Sequence, residues 1–93
     1  MTKIQELIEI ADNAYYSAEY YKAMQLYKQA LDLDPNNMHA QQQLLKAASN
    51  EKLMENADSA YYSTEYDKAI QLYMQVLDLD PSNKHAQEQI RKA

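Results

Sequence analysis

Glycine, cysteine, phenylalanine and tryptophan are all missing from this 93-residue sequence, and proline occurs only twice. Each absence excludes a chemistry. Without cysteine there is no disulfide, no thiolate metal site and no cysteine nucleophile, and two histidines, His39 and His85, are too few for a self-contained zinc site. Without glycine there is no Gly-rich loop whose backbone could cradle a phosphate. Basic residues are outnumbered, 9 Lys plus Arg against 14 Asp plus Glu, and the net charge of -5 is spread over both halves, -2 for residues 1–47 and -3 for 48–93. That leaves no basic footprint for nucleic acid. Apolar runs extend only a few residues, far short of the ~20 needed to cross a bilayer, and Met1 is not followed by a signal-peptide pattern. The expectation is a cytoplasmic protein with no cofactor, no metal, no nucleic-acid or membrane partner, and no enzymatic activity.

What the sequence does contain is itself, twice. A shift of 46 places residues 11–47 on residues 57–93 with 26 of 37 positions identical, and Leu7 and Glu9 fall on Leu53 and Glu55. The chain therefore reads as Met1 followed by two 46-residue units, 2–47 and 48–93, in a single repeat domain over 1–93. Both ends coincide with unit boundaries, as expected of a trimmed fragment or a designed duplication.

Within each unit the apolar spacing is helical. Ile4, Leu7, Ile8, Ala11, Ala14 and Tyr15 follow the three-and-four steps of one helix face, and Tyr20, Ala23, Met24, Tyr27, Ala30 and Leu31 repeat them. Only Ser17-Ala18-Glu19 lies between, so the two helices are antiparallel neighbours. The second unit has the same stripes in Leu53, Met54, Ala57, Ala60, Tyr61 and in Tyr66, Ala69, Ile70, Tyr73, Val76, Leu77. Thr2 with Gln5, and Thr64 with Asp67, are candidate capping boxes. Asp34-Pro35 and Asp80-Pro81 end the second helices, because proline lacks an N–H and turns the preceding residue away from helical angles. With Asp as cap and Pro in the first turn, third helices are expected over 36–48 and 82–93. The fold class is all-α.

Residues 36–63 contain neither Pro nor Gly and can run as one helix, yet Ser49-Asn50-Glu51-Lys52 interrupts the apolar stripe and offers a cap. A turn there folds the segments back on each other in a compact monomer. Continuity lays them end to end and requires a second copy to cover them, as a helix-swapped homodimer. The narrow core of so short a chain and the duplication favour the continuous helix and the dimer.

The spacing Tyr20, Ala23, Tyr27, Ala30, Pro35, repeated as Tyr66, Ala69, Tyr73, Val76, Pro81, resembles the second helix of a tetratricopeptide repeat, and so does the phrase LDLDPNN. The resemblance implies antiparallel helical hairpins of that type, here with an added third helix in each 46-residue unit, serving as a non-catalytic protein-protein interaction module for a protein or peptide. It is looser in the first helix, where Ile8, Ala11 and Asp12 stand at the family's Trp, Leu and Gly positions. The turn lacks the family's Gly, so a non-Gly residue must adopt the turn conformation. The family period of about 34 residues is also exceeded. A weaker likeness is to microtubule-interacting and transport domains, against which stand the DPNN turn and the short third helix.

Consecutive helix residues point about 100° apart, so in Tyr15-Tyr16 and Tyr61-Tyr62 one ring joins the stripe while Tyr16 or Tyr62 looks outward. In chaperone-binding members of the family, a Lys and an Asn four residues apart grip a peptide's terminal carboxylate. The matching positions here are Glu9 and Asn13, then Glu55 and Ser59, and only Asn13 agrees. Glu in place of Lys repels a carboxylate. The resemblance thus points to Glu9, Asn13, Tyr16, Glu55, Ser59 and Tyr62 as a face for a basic peptide or a helix. His39 and His85 are expected as solvated surface residues. The competing expectation is a self-associating structural scaffold, a designed or duplicated repeat whose partner is its own copy.

Overall fold

The computed structural model describes residues 2–93. Among these it contains five α-helices and no strand: α1 (Lys3–Tyr16), α2 (Tyr20–Leu33), α3 (Met38–Tyr62), α4 (Tyr66–Leu79) and α5 (Lys84–Lys92). Helix makes up 83% of the structure, consistent with hairpins of the expected type. The chain divides into two compact units, one ending at Ser49 and the other Asn50–Ala93.

The start of α1 is the expected capping box. Thr2 Oγ1 accepts from the Gln5 N–H at 3.2 Å, and Gln5 Oε1 accepts from the Thr2 N–H at 2.9 Å. At its end the chain reverses without glycine. The Glu19 N–H donates to the Ala14 carbonyl (2.9 Å) and the Ala18 N–H to the Tyr15 carbonyl (3.0 Å), the paired bonds of a Schellman motif. That motif needs a left-handed residue, and Ala18 takes it at φ 62°. The second unit does the same with Thr64 at φ 63°, through Glu65 N–H to Ala60 O and Thr64 N–H to Tyr61 O. Thr64 is therefore no N-cap. Its hydroxyl donates to the Ser63 carbonyl at 2.6 Å, and the N-cap of α4 is Glu65, with no side-chain bond.

A left-handed residue with a Cβ costs roughly 1–2 kcal/mol, and a β-branched one more than alanine. Ala18→Gly and Thr64→Gly are each expected to stabilise by about 1 kcal/mol, less what glycine adds to the entropy of the unfolded chain. Thermal midpoints should rise by a few degrees, about 4–8 °C per kcal/mol at this size. Lower midpoints would show that the turns do not carry this strain.

After α2 and α4 the chain leaves the helix where proline requires it. Asp34 and Asp80, each before a Pro, sit at φ -142°. The third helices begin later than residues 36 and 82, because Pro35 and Pro81 lie within a turn rather than in a first helical turn. The Asn37 N–H reaches the Asp34 carbonyl at 3.1 Å, and the Asn83 N–H reaches Asp80 at 3.2 Å. Caps are supplied by asparagine instead of aspartate. Asn37 Oδ1 accepts from Ala40 N–H at 3.0 Å and Asn83 Oδ1 from Ala86 N–H at 2.9 Å.

The segment with two possible fates is one helix, since α3 runs unbroken through Ser49-Asn50. This is the continuous alternative that the sequence favoured, the third helix of the first unit being the leading half of α3. Along it Ala40, Gln43, Ala47, Asn50, Ala57 and Ala60 are buried and Met54 is half-buried. The stripe is not interrupted at Ser49–Lys52, as its polarity suggested; Asn50 occupies the buried position. All six residues are buried in a single chain, so their burial does not require a second copy.

Alanines set the closeness of the packing. Ala11, Ala23, Ala30 and Ala40 are completely buried in the first unit, as are Ala57, Ala69 and Ala86 in the second. Between them stand Tyr27 and Tyr73, each 0% exposed. The other stripe tyrosines differ between the units. Tyr15 and Tyr20 are buried, whereas Tyr61 is half-buried and Tyr66, edge-on to it at 5.6 Å, is exposed.

Candidate functional site

Helix α1 places Asp12 next to the buried Ala11, where its carboxylate faces α2 and α3 of the same unit. The Tyr27 hydroxyl of α2 donates to Asp12 Oδ1. His39 in the first turn of α3 brings Nε2 to 2.9 Å from Oδ1 and 3.1 Å from Oδ2 of the same carboxylate. Gln43, one turn further on, hydrogen-bonds the Tyr27 side chain. The second unit builds the same cluster from Asp58, Tyr73, His85 and Gln89, with His85 Nε2 at 2.9 Å from Asp58 Oδ1. In each unit one carboxylate thus ties together the hairpin and the following helix. The histidines are not simply solvated, as expected, because each has a carboxylate within hydrogen-bond reach and lies edge-on to its tyrosine, at 6.4 Å for His39 and 5.9 Å for His85.

Desolvation by burial raises the Tyr27 and Tyr73 hydroxyls well above the ordinary tyrosine value, and the carboxylates they donate to hold their protons further. A hydroxyl so held is a poor general acid or nucleophile near neutral pH, where efficient proton transfer needs a matched pKa. Among the described residues no three His, Asp or Glu side chains are placed to hold a metal ion. The cluster is an anchoring device rather than a reactive one.

Its titration is testable. Tyrosines in the unfolded chain ionise near pH ~10, whereas Tyr27 and Tyr73 in the folded chain ionise higher, so above ~10 the unfolded state holds fewer protons. The stability these groups carry is complete below the ordinary value and is lost as pH climbs toward the folded one. Absorbance titration of tyrosinate is expected to show Tyr27 and Tyr73 ionising only as circular dichroism reports loss of helix. Their ionisation in a chain still fully helical would contradict this.

The residues expected to form a binding face are all exposed. Glu9, Asn13 and Tyr16 follow one another along a single side of α1, and Glu55, Ser59 and Tyr62 do so along α3. Tyr16 is 59% and Tyr62 77% exposed, each edge-on to the tyrosine before it, at 5.2 and 5.5 Å. The two triplets belong to different units. Ser59 also borders a shallow open depression between α3 and α4, lined by Asn56, Ser63, Glu65, Lys68 and Leu72, which does not include Glu55 or Tyr62. Sequence reasoning missed the Asp–Tyr–His–Gln cluster. Its signal was the exact recurrence of all four residue types in both units, 15 and 27 residues apart for the Asp–Tyr and Asp–His pairs.

No helix among the described residues is long and apolar enough to cross a membrane. A family profile described as tetratricopeptide repeat matches residues 7–37 and 62–83. The first match covers the hairpin of α1 and α2 with its Asp-Pro turn, and the second covers α4 with its own; most of α3 lies outside both. No curated protein and no solved structure matches the chain. The two matches together take in over half of the sequence, and the structure over them is helical: the chain belongs to the tetratricopeptide repeat family.

Proposed function

We propose that this protein is a non-catalytic binding module, and that each unit takes a basic peptide or helix on its own outward stripe, that of α1 in the first unit and that of α3 in the second. Tetratricopeptide repeats generally mediate binding to proteins or peptides. The observation that carries the reading is the exposure of Tyr16 and Tyr62, each seven residues beyond a glutamate on the same helix side, Glu9 or Glu55. A ring with an apolar body and a polar tip suits an interface, and a neighbouring carboxylate selects a cation over an anion. Titration with matched lysine-rich and glutamate-rich peptides tests it. Saturable binding of the basic peptide, weakened at least several-fold by Tyr62→Ala or Glu55→Lys, is expected. Equal binding of both peptides, or of neither, overturns the reading.

The competing reading is a self-associating scaffold, the helix-swapped homodimer, favoured by Leu45 on α3, 70% exposed. Light scattering separates the two. The binding module keeps a mass of 10.8 kDa over a wide concentration range. A mass rising with concentration replaces it with the scaffold.

A further inference from the structure

The inward positions of α3 advance by steps of three and four, the buried Ala40, Gln43, Ala47 and Asn50, the half-buried Met54 and the buried Ala57, and the one in the middle of the helix is a fully buried asparagine. An amide removed from water is unfavourable unless it is hydrogen-bonded, whereas an aliphatic side chain of that size would fill the place without condition. Asn50 Nδ2 donates to the Val76 carbonyl at 3.4 Å. That carbonyl lies in the last turn of α4 and also accepts the Asp80 N–H that closes the helix, at 2.9 Å. The middle of α3 is thereby tied to one atom at one end of α4.

We infer that Asn50 is a positioning residue that sets the rotation and register of α3 on α4. The contact has one other polar tie, the Tyr73 hydroxyl donating to Asp58 about two turns further along α3, and is otherwise undemanding: Ala57, Ala60 and Ala69 are small and smooth, and Leu53, Met54, Leu72 and Leu77 are adaptable aliphatic side chains. Rotating α3 by one residue swings its side chains by about 100° and leaves the asparagine without the carbonyl. Sliding α3 by a turn moves it about 5.4 Å away from the same atom. Both alternatives forfeit the hydrogen bond, so the buried amide adds a discrimination that the alanines do not supply. A single buried asparagine fixes helix register in coiled coils by the same physics. The phase of α3 in turn decides that Glu55, Ser59 and Tyr62 face outward.

The test compares the full-length chain with Asn50→Leu and Asn50→Ala, by heteronuclear NMR of the backbone amides and by light scattering. Wild type is expected to give one resonance per amide at a mass of 10.8 kDa. Asn50→Leu should keep or raise the denaturation midpoint yet double or broaden the resonances of α3 and α4. Asn50→Ala, which is certain to be accommodated sterically, should lose midpoint and show the same heterogeneity. Single, sharp resonance sets in both variants overturn the inference, even if stability drops, because the hydrogen bond would then be only one contact among many. Multiple resonance sets in the wild type overturn it as well.

Discussion

Replacing Tyr27 or Tyr73 with alanine is expected to lower the free energy of unfolding by about 3–5 kcal/mol, the range found when a fully buried aromatic side chain is truncated. Both rings are completely buried, and each is the piece around which three helices meet. For Tyr27 the carboxylate of α1, the amide of Gln43 and the edge of His39 in α3 all converge on one side chain. Truncation leaves a cavity that small alanines on every side cannot fill. Domains this short have totals near the lower end of the usual ~5–15 kcal/mol, so either variant should be close to unfolded at 37 °C. Phenylalanine at the same positions keeps the ring and removes only the donor, which should cost about 1–2 kcal/mol, since the part-exposed carboxylate can turn to water. Urea unfolding curves of the two pairs of variants decide the matter. If phenylalanine is as damaging as alanine, the hydrogen bond rather than the ring holds each unit's own helices together; if alanine is harmless, the packing described for these sites is wrong.

Enlarging the alanine contacts is the second large effect. Ala23→Leu and Ala69→Leu are each expected to destabilise by about 1–3 kcal/mol, because three added carbons in a filled contact force neighbours off their rotamers or the helices apart. Leucine itself is a good helix former, so local propensity contributes almost nothing to the change. Ala23 and Ala69 are 0% exposed, in the first turns of α2 and α4, where the hairpins are closest to their connecting turns and have least freedom to open. Gln25→Leu on the exposed side of α2 is the control and should move stability by less than about 0.5 kcal/mol. Equal midpoints for the Ala23 and Gln25 variants would show that the alanine is not at a close contact.

The hairpins were legible because their signal is local and redundant. Two stripes of helical period, a three-residue gap and an Asp-Pro stop specify an antiparallel pair before any contact is known, and each signal occurs twice. The absent glycines correctly forced Ala18 into a left-handed turn. Capping was less legible, since several residues near each terminus qualify. Thr64 looked like an N-cap but is consumed by the turn, and Asn37 and Asn83 took the role assigned to the preceding aspartates. The outward placement of Glu9, Asn13, Tyr16, Glu55, Ser59 and Tyr62 followed from the 100° step alone. Their common use by one ligand is a matter for the titration.

Two features were not legible, for one physical reason. A polar side chain is favourable in water or against a partner, and sequence reports its polarity without reporting which of these it finds. Tyr27 read as a core ring, His39 as a surface imidazole and Asp12 only as a departure from the family's Gly, and only folding brings them within hydrogen-bond reach across 27 residues of chain. Asn50 read as a candidate cap within a segment expected to run on as one helix; α3 does run on, and the burial of Asn50 against the Val76 carbonyl is what the sequence did not show. The sequence by itself determined the helices, their pairing into hairpins, the turns that close them and the family they belong to, because those depend on periodicity and backbone stereochemistry within a few residues. Only the tertiary structure decided where the buried polar groups go, because a hydrogen bond between distant residues is worth making only where packing has already excluded water.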